Sequence, residues 1–159
     1  MALMPDFASI LVRKGCSANT RSLIRCASFM FPPSTHSSIK AIGRLHDEGL
    51  PIRLDLYGSA RVSILPRLTK AIDQVDARRE FIHYWGAVDS KEIDRCYAAA
   101  DLCVFASSCE NMPNILIESM AAGLPIACSN RGPMPEVLGD AGIYFDPEDA
   151  ASIACAVRK

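Results

Sequence analysis

The sequence predicts an α/β fold, a Rossmann-like parallel sheet of about six strands with helices on both faces. Three observations lead there. Short apolar runs alternate about six times with segments of helical periodicity, the pattern of consecutive βαβ units. The links between them are short. The chain, at 159 residues with 50% hydrophobic and 22% charged residues, can bury one sizeable core.

Each element has its own local reason. Leu23 to Phe29 is expected as a short buried strand, closed by a Pro/Ser loop at Phe31 to Ser34. Ser37 to Leu45 carries Ile39, Ile42 and Leu45 at helical spacing and stops near Gly49. Ile52 to Tyr57 alternates apolar and polar residues as a strand does and ends at Gly58. Val62 to Val75 is expected as a helix and Phe81 to Trp85 as a strand. Ser90 to Ala99 opens on a serine with a glutamate two residues later, as a capped helix would. Leu102 to Ala106 is a fully apolar strand, Asn114 to Ala122 a helix and Pro125 to Cys128 a strand. Arg131 to Leu138 is expected as a short helix or turn, Gly142 to Phe145 as the last strand and Pro147 to Arg158 as the last helix. The first twenty residues show neither period and are expected as a linker or ragged entry.

Composition excludes several classes. A net charge of -1, with no basic run longer than a pair, gives no phosphate-backbone surface, so nucleic acid is not an expected partner. The seven cysteines are an odd number without a C-x-x-C spacing, which indicates neither a zinc knuckle nor a disulfide framework. Most stand among apolar neighbours as small core hydrophobes, which points to the cytoplasm. Asp101 and Glu118 interrupt the longest apolar stretches before a membrane-spanning length is reached. No G-x-G-x-x-G follows the first strand and no glycine precedes a lysine. A nicotinamide dehydrogenase and a P-loop NTPase are therefore not expected.

In a sheet of this kind ligands bind beyond the carboxyl ends of the strands. Among the six loops there, the fourth carries the chemistry: Ser107-Ser108-Cys109-Glu110-Asn111-Met112-Pro113-Asn114-Ile115-Leu116-Ile117-Glu118. Proline is favoured in a first helical turn, so Pro113 places a helix start at the end of an apolar strand. The free N–H groups there, with the positive end of the helix dipole, suit a diphosphate. Glu118 lies about one turn further on, where a carboxylate can accept from both hydroxyls of a ribose. Glu110, still in the loop, is free to meet sugar hydroxyls beyond the phosphates. On spacing alone the blander alternative weighs more, with Glu118 an exposed helix charge and Glu110 an acid that complements the dipole.

Ser107 to Ala122, continued by Gly123-Leu124-Pro125-Ile126 and Pro135-Glu136-Val137-Leu138-Gly139-Asp140-Ala141-Gly142, resembles the E-x7-E region of retaining nucleotide-sugar glycosyltransferases of family 4. Those enzymes have the two-domain B-type fold. The resemblance is dense from Phe81 to Val157, thinner from Leu23 to Gly58, and does not reach the first twenty residues. It implies that Glu118 holds the ribose diol and that Glu110, the catalytic candidate, holds hydroxyls of the donor sugar. The backbone of Asn111, Met112, Pro113, Asn114 and Ile115 would face sugar and phosphates. Trp85, Gly86 and Ala87, within Tyr84 to Val88, resemble the turn that receives the base through main-chain groups, and Gly58 the glycine beside the nucleotide.

The resemblance further implies transfer of a hexose-type sugar with retention, from a nucleoside diphosphate sugar as donor substrate, with no metal and no other cofactor. Residues 21–159 would be the donor-binding domain, incomplete at its carboxy-terminal end, and residues 1–20 a linker or remnant of the interdomain region. The acceptor, a glycan or lipid-linked molecule, would lie on a separate amino-terminal domain. Which nucleoside, sugar and acceptor are used stays open, as do oligomeric state and peripheral membrane association.

One departure stands out. The family carries an arginine just after the first strand and a lysine about five residues later, and here those places hold Ser28 and Pro33. Lys40 or Arg44 could substitute, though helical periodicity puts both on a solvated face. A departing diphosphate needs charge stabilisation, so the alternative is a non-catalytic nucleotide-binding or interaction module. His83 is expected to be structural, and Cys109 lacks a local base that would make it a nucleophile. Glu136 is expected to tie down its own turn.

Overall fold

A computed structural model describes residues 23–28 and 35–159. In chain order these form β1 (Ile24–Ser28), α1 (Thr35–Asp47), β2 (Ile52–Tyr57), α2 (Leu65–Val75), β3 (Ile82–Gly86) and α3 (Ile93–Ala99). β4 (Leu102–Phe105), α4 (Asn114–Ala121), β5 (Ile126–Ser129), α5 (Met134–Leu138), β6 (Ile143–Phe145) and α6 (Ala150–Arg158) follow. The six strands make one sheet in the order β3-β2-β1-β4-β5-β6, and every pairing is parallel. The predicted fold class is the observed one.

The two faces carry separate cores. On one, Ile39, Ile42 and Leu45 of α1 pack with Leu54, Leu56 and Ile82 of the sheet, and α2 and α6 complete the layer. The three spaced residues of α1 are fully buried, as the periodicity predicted. Each such Leu or Ile contributes about 1.5–3 kcal/mol relative to exposure. On the other face, Tyr97 of α3, Leu116 of α4 and Leu138 of α5 pack on Cys103, Phe105 and Cys128.

Helix starts differ from the sequence reading because proline and aspartate outrank apolar spacing there. Val62 is 89% exposed and residues 62–64 form a turn, so α2 begins at Leu65 with Pro66 in its first turn. Ser90 does not cap α3. Asp89 Oδ1 accepts from the Lys91 amide at 2.9 Å, turning the chain before a helix that starts at Ile93. The last helix starts at Ala150, not Pro147, because Asp149 caps it by accepting from the Ala151 amide at 2.8 Å. Pro113 occupies the cap position of α4 and Asn114 its first turn. The linker expected at residues 1–20, together with Phe29 and Pro33, lies outside the described residues.

The order places a topological switch between β1 and β4, where the chain leaves in opposite directions from adjacent strands. The loop after β4, which carries Glu110, therefore opens at the crevice where such folds bind ligands. Gly142, in the segment Pro135 to Gly142, sits where a Cβ would lie 2.7 Å from the Ile126 carbonyl oxygen and 2.6 Å from Leu138 Cδ2. Only a residue without a side chain lets that turn close onto β5.

Candidate functional site

The site is assembled from the carboxyl ends of β2, β3 and β4. Gly58 ends β2 at φ 125° and Gly86 ends β3 at φ 73°, conformations that glycine adopts without strain. The Gly58 amide donates to the Gly86 carbonyl at 2.7 Å, which ties the two strand ends together. Tyr84 reinforces the tie: its hydroxyl donates to the Gly58 carbonyl and accepts from the Ala60 amide, both at 3.2 Å.

Beyond that tie lies a cavity of about 200 Å³ lined by Tyr57, Gly58, Val88, Tyr97, Ile115 and Glu118, with Ile93 beside them. Residues from the end of β2, the loops after β2 and β3, and the helices α3 and α4 thus converge on one concavity. Of the residues singled out from the sequence, Gly58, Ile115 and Glu118 meet there. Glu118 is solvent-exposed on α4, but its Oε2 accepts from the Tyr97 hydroxyl at 2.8 Å. Burial and the neighbouring carboxylate push the Tyr97 phenol far above its ordinary range, so it remains a donor.

Glu110 occupies a separate anchor in the same loop. Its Oε1 accepts from the buried Ser107 hydroxyl at 2.5 Å. Asn111 and Met112 are exposed, Pro113 is buried, and among the described residues no side chain caps the start of α4. Gly132, in the loop after β5, closes on this segment, where a Cβ would stand 4.0 Å from the Glu110 amide. Trp85 turns its side chain elsewhere, since its indole N–H donates to Asp55 Oδ1 at 2.6 Å. Arg53 holds the same Asp55 oxygen at 2.7 Å and lies over the indole. Ala87 follows in an exposed loop.

Among the described residues, charge is sparse where an anion would sit. Ser28 is buried at the end of β1. Lys40 and Arg44 are exposed on α1, and Arg44 pairs with Glu48. Arg131, after β5, pairs with Asp146 at 3.1 Å. His83 is half-buried, its Nδ1 without a partner among the described residues, Cys109 is exposed, and Glu136 lies exposed in the first turn of α5. Sequence reasoning missed Tyr97, Ser107, Tyr57 and Tyr84. Ser107, Tyr57 and Tyr84 each stood within or beside a segment already singled out, but Tyr84 and Tyr97 act through contacts more than 20 residues distant in the chain.

Comparison with known proteins bears on this arrangement. The family model described as glycosyl transferases group 1 matches residues 23–159. The O-antigen chain mannosyltransferase B of Escherichia coli is 38% identical over 80 residues, which cover 50% of this chain and 21% of that protein. The glycogen synthase of Mycobacterium tuberculosis is 33% identical over 132 residues, covering 80% of this chain and 31% of its own length. Among solved structures, HepE of Anabaena, in complex with UDP and glucose, superposes with a TM-score of 0.75 at 18% identity. That superposition covers 95% of this chain and 41% of the other. The chain thus corresponds to less than half the length of the proteins it resembles.

Proposed function

Because the chain belongs to the glycosyl transferases of group 1, we propose that it is the donor-binding half of a retaining glycosyltransferase that takes a hexose from a nucleoside diphosphate sugar. The observation that carries this reading is the convergence of Gly58, Val88, Ile115 and Glu118 on one cavity at the carboxyl edge of a parallel sheet. Glu118 would accept from the ribose diol. The base would lie against the main chain at Trp85, Gly86 and Ala87, and the diphosphate against Asn111 to Ile115 at the uncapped start of α4. Glu110 would meet hydroxyls of the transferred sugar and act at the reacting end. A glycan or lipid-linked acceptor would come from an amino-terminal domain, so donor and acceptor react only when both domains are present. HepE, named above, was solved with UDP and glucose, and its likeness in fold supports a nucleotide at this edge.

The buried Ser28, where a cation would assist the leaving diphosphate, favours a second reading. In it the domain binds the nucleotide and transfers nothing. Calorimetric titration of UDP, GDP and ADP into the chain tests the site, with binding of at least one expected. Transfer assays with the amino-terminal domain present then separate enzyme from binder. Failure of all three nucleotides to bind would remove both readings.

A further inference from the structure

We propose that Tyr97 is a positioning residue for the ribose-binding carboxylate, holding Glu118 in the orientation that lets it select ribose over deoxyribose. The inference rests on the reading of Glu118 given above and extends it to a residue on another helix.

Glu118 projects from the surface of α4 and is exposed. A free glutamate there samples several rotamers, and ordering it at the moment of binding would weaken the complex. Tyr97 removes that freedom beforehand. Its ring is 4% exposed and packs with Ala100, Cys103 and Leu116 in the core under α3 and α4. From that fixed seat its hydroxyl reaches Glu118 Oε2 at 2.8 Å, and both side chains line the same cavity.

A phenol has one proton to donate, and here it goes to a single carboxylate oxygen. Among the described residues no other side chain donates to Glu118, so its Oε1 and the second lone pair of Oε2 match the two donors of a 2′,3′-diol. A nucleotide lacking the 2′-hydroxyl leaves one of these prepared acceptors unanswered. Discrimination then depends on how firmly the carboxylate is held, and Tyr97 holds it.

The test compares each ribonucleoside diphosphate, UDP, GDP or ADP, with its 2′-deoxy counterpart by titration calorimetry on the full chain at neutral pH. The native chain is expected to prefer the ribo form at least tenfold. Glu118→Ala should abolish the preference. Tyr97→Phe, which keeps the buried ring, should lower it about three- to tenfold with a melting temperature within a few degrees of native. In a Glu118→Ala background, Tyr97→Phe should have no further effect on the ratio. A full preference in Tyr97→Phe, alongside its loss in Glu118→Ala, would overturn the role of Tyr97 and leave that of Glu118 intact. A preference that survives Glu118→Ala, or no binding at all by the native chain, would overturn the reading of Glu118 and this inference with it. A tyrosine that only joined α3 to α4 would change the melting temperature and leave the ribo-to-deoxy ratio unmoved.

Discussion

Ser107 Oγ donates to Glu110 Oε1 at 2.5 Å, and Ser107 itself is 2% exposed at the end of β4. The Glu110 carboxylate is therefore fixed to the sheet, although Cys109, Asn111 and Met112 around it are exposed. A group held this way meets its ligand with little ordering cost. Glu110→Ala is expected to leave nucleoside diphosphate affinity within about twofold while removing the added affinity of a nucleotide sugar, because the proposal puts this carboxylate at the sugar and not at the nucleotide. Ser107→Ala should show part of the same loss. Parallel titrations with a nucleotide sugar and its diphosphate measure both. A fall in diphosphate affinity alone would move Glu110 to the nucleotide.

In the proposed reading Glu118 accepts from the ribose diol of the nucleotide. Charge-assisted hydrogen bonds carry about 1.5–3 kcal/mol each, so Glu118→Ala should weaken diphosphate binding at least tenfold, which is about 1.4 kcal/mol. The same change strips the buried Tyr97 hydroxyl of its Glu118 partner, so unfolding free energy should also drop, by about 1 kcal/mol. Denaturant titration and calorimetry read the two effects separately. An unchanged dissociation constant would remove the assignment.

Asp76, 4% exposed after α2, accepts from the amides of Glu80, Phe81 and Ile82 at 2.8–2.9 Å. Burial works against its charged form, yet these three backbone bonds hold its carboxyl below the usual range. A depressed folded value contributes stability that is present above the unfolded pKa of about 3.9 and lost as pH falls through the folded value. Asp76→Ala leaves those donors unanswered at the entry to β3 and should cost about 2–4 kcal/mol at neutral pH. Urea midpoints of native and variant should converge as the pH drops below about 4. A constant gap across that range would show that Asp76 does not act through its charge.

Gly142→Ala drives a Cβ to within 2.7 Å of the Ile126 carbonyl oxygen. Backbone cannot yield as a flexible side chain can, so the variant should lose about 1–3 kcal/mol. Gly123, whose Cβ position is open, has no such contact. It stands at φ 69°, so its alanine variant pays for conformation alone. Thermal unfolding of both variants separates crowding from backbone strain. An unperturbed Gly142→Ala protein would show that β5 and the turn before β6 can move apart.

The sequence by itself determined the alternation of strands and helices, because a parallel sheet covered on both faces needs continuous apolar strands and helical stripes such as Ile39, Ile42 and Leu45. It also located Glu110 and Glu118, since a proline after an apolar strand marks a helix start at a sheet edge. It misplaced the starts of α2, α3 and α6, where the local signals of Pro66, Asp89 and Asp149 outweigh apolar spacing. Only the tertiary structure decided what holds the two glutamates. Tyr97 meets Glu118 from 21 residues away, and Gly58 meets Gly86 across two strands. Such pairs follow from strand order, and linear spacing carries no record of which strand lies beside which.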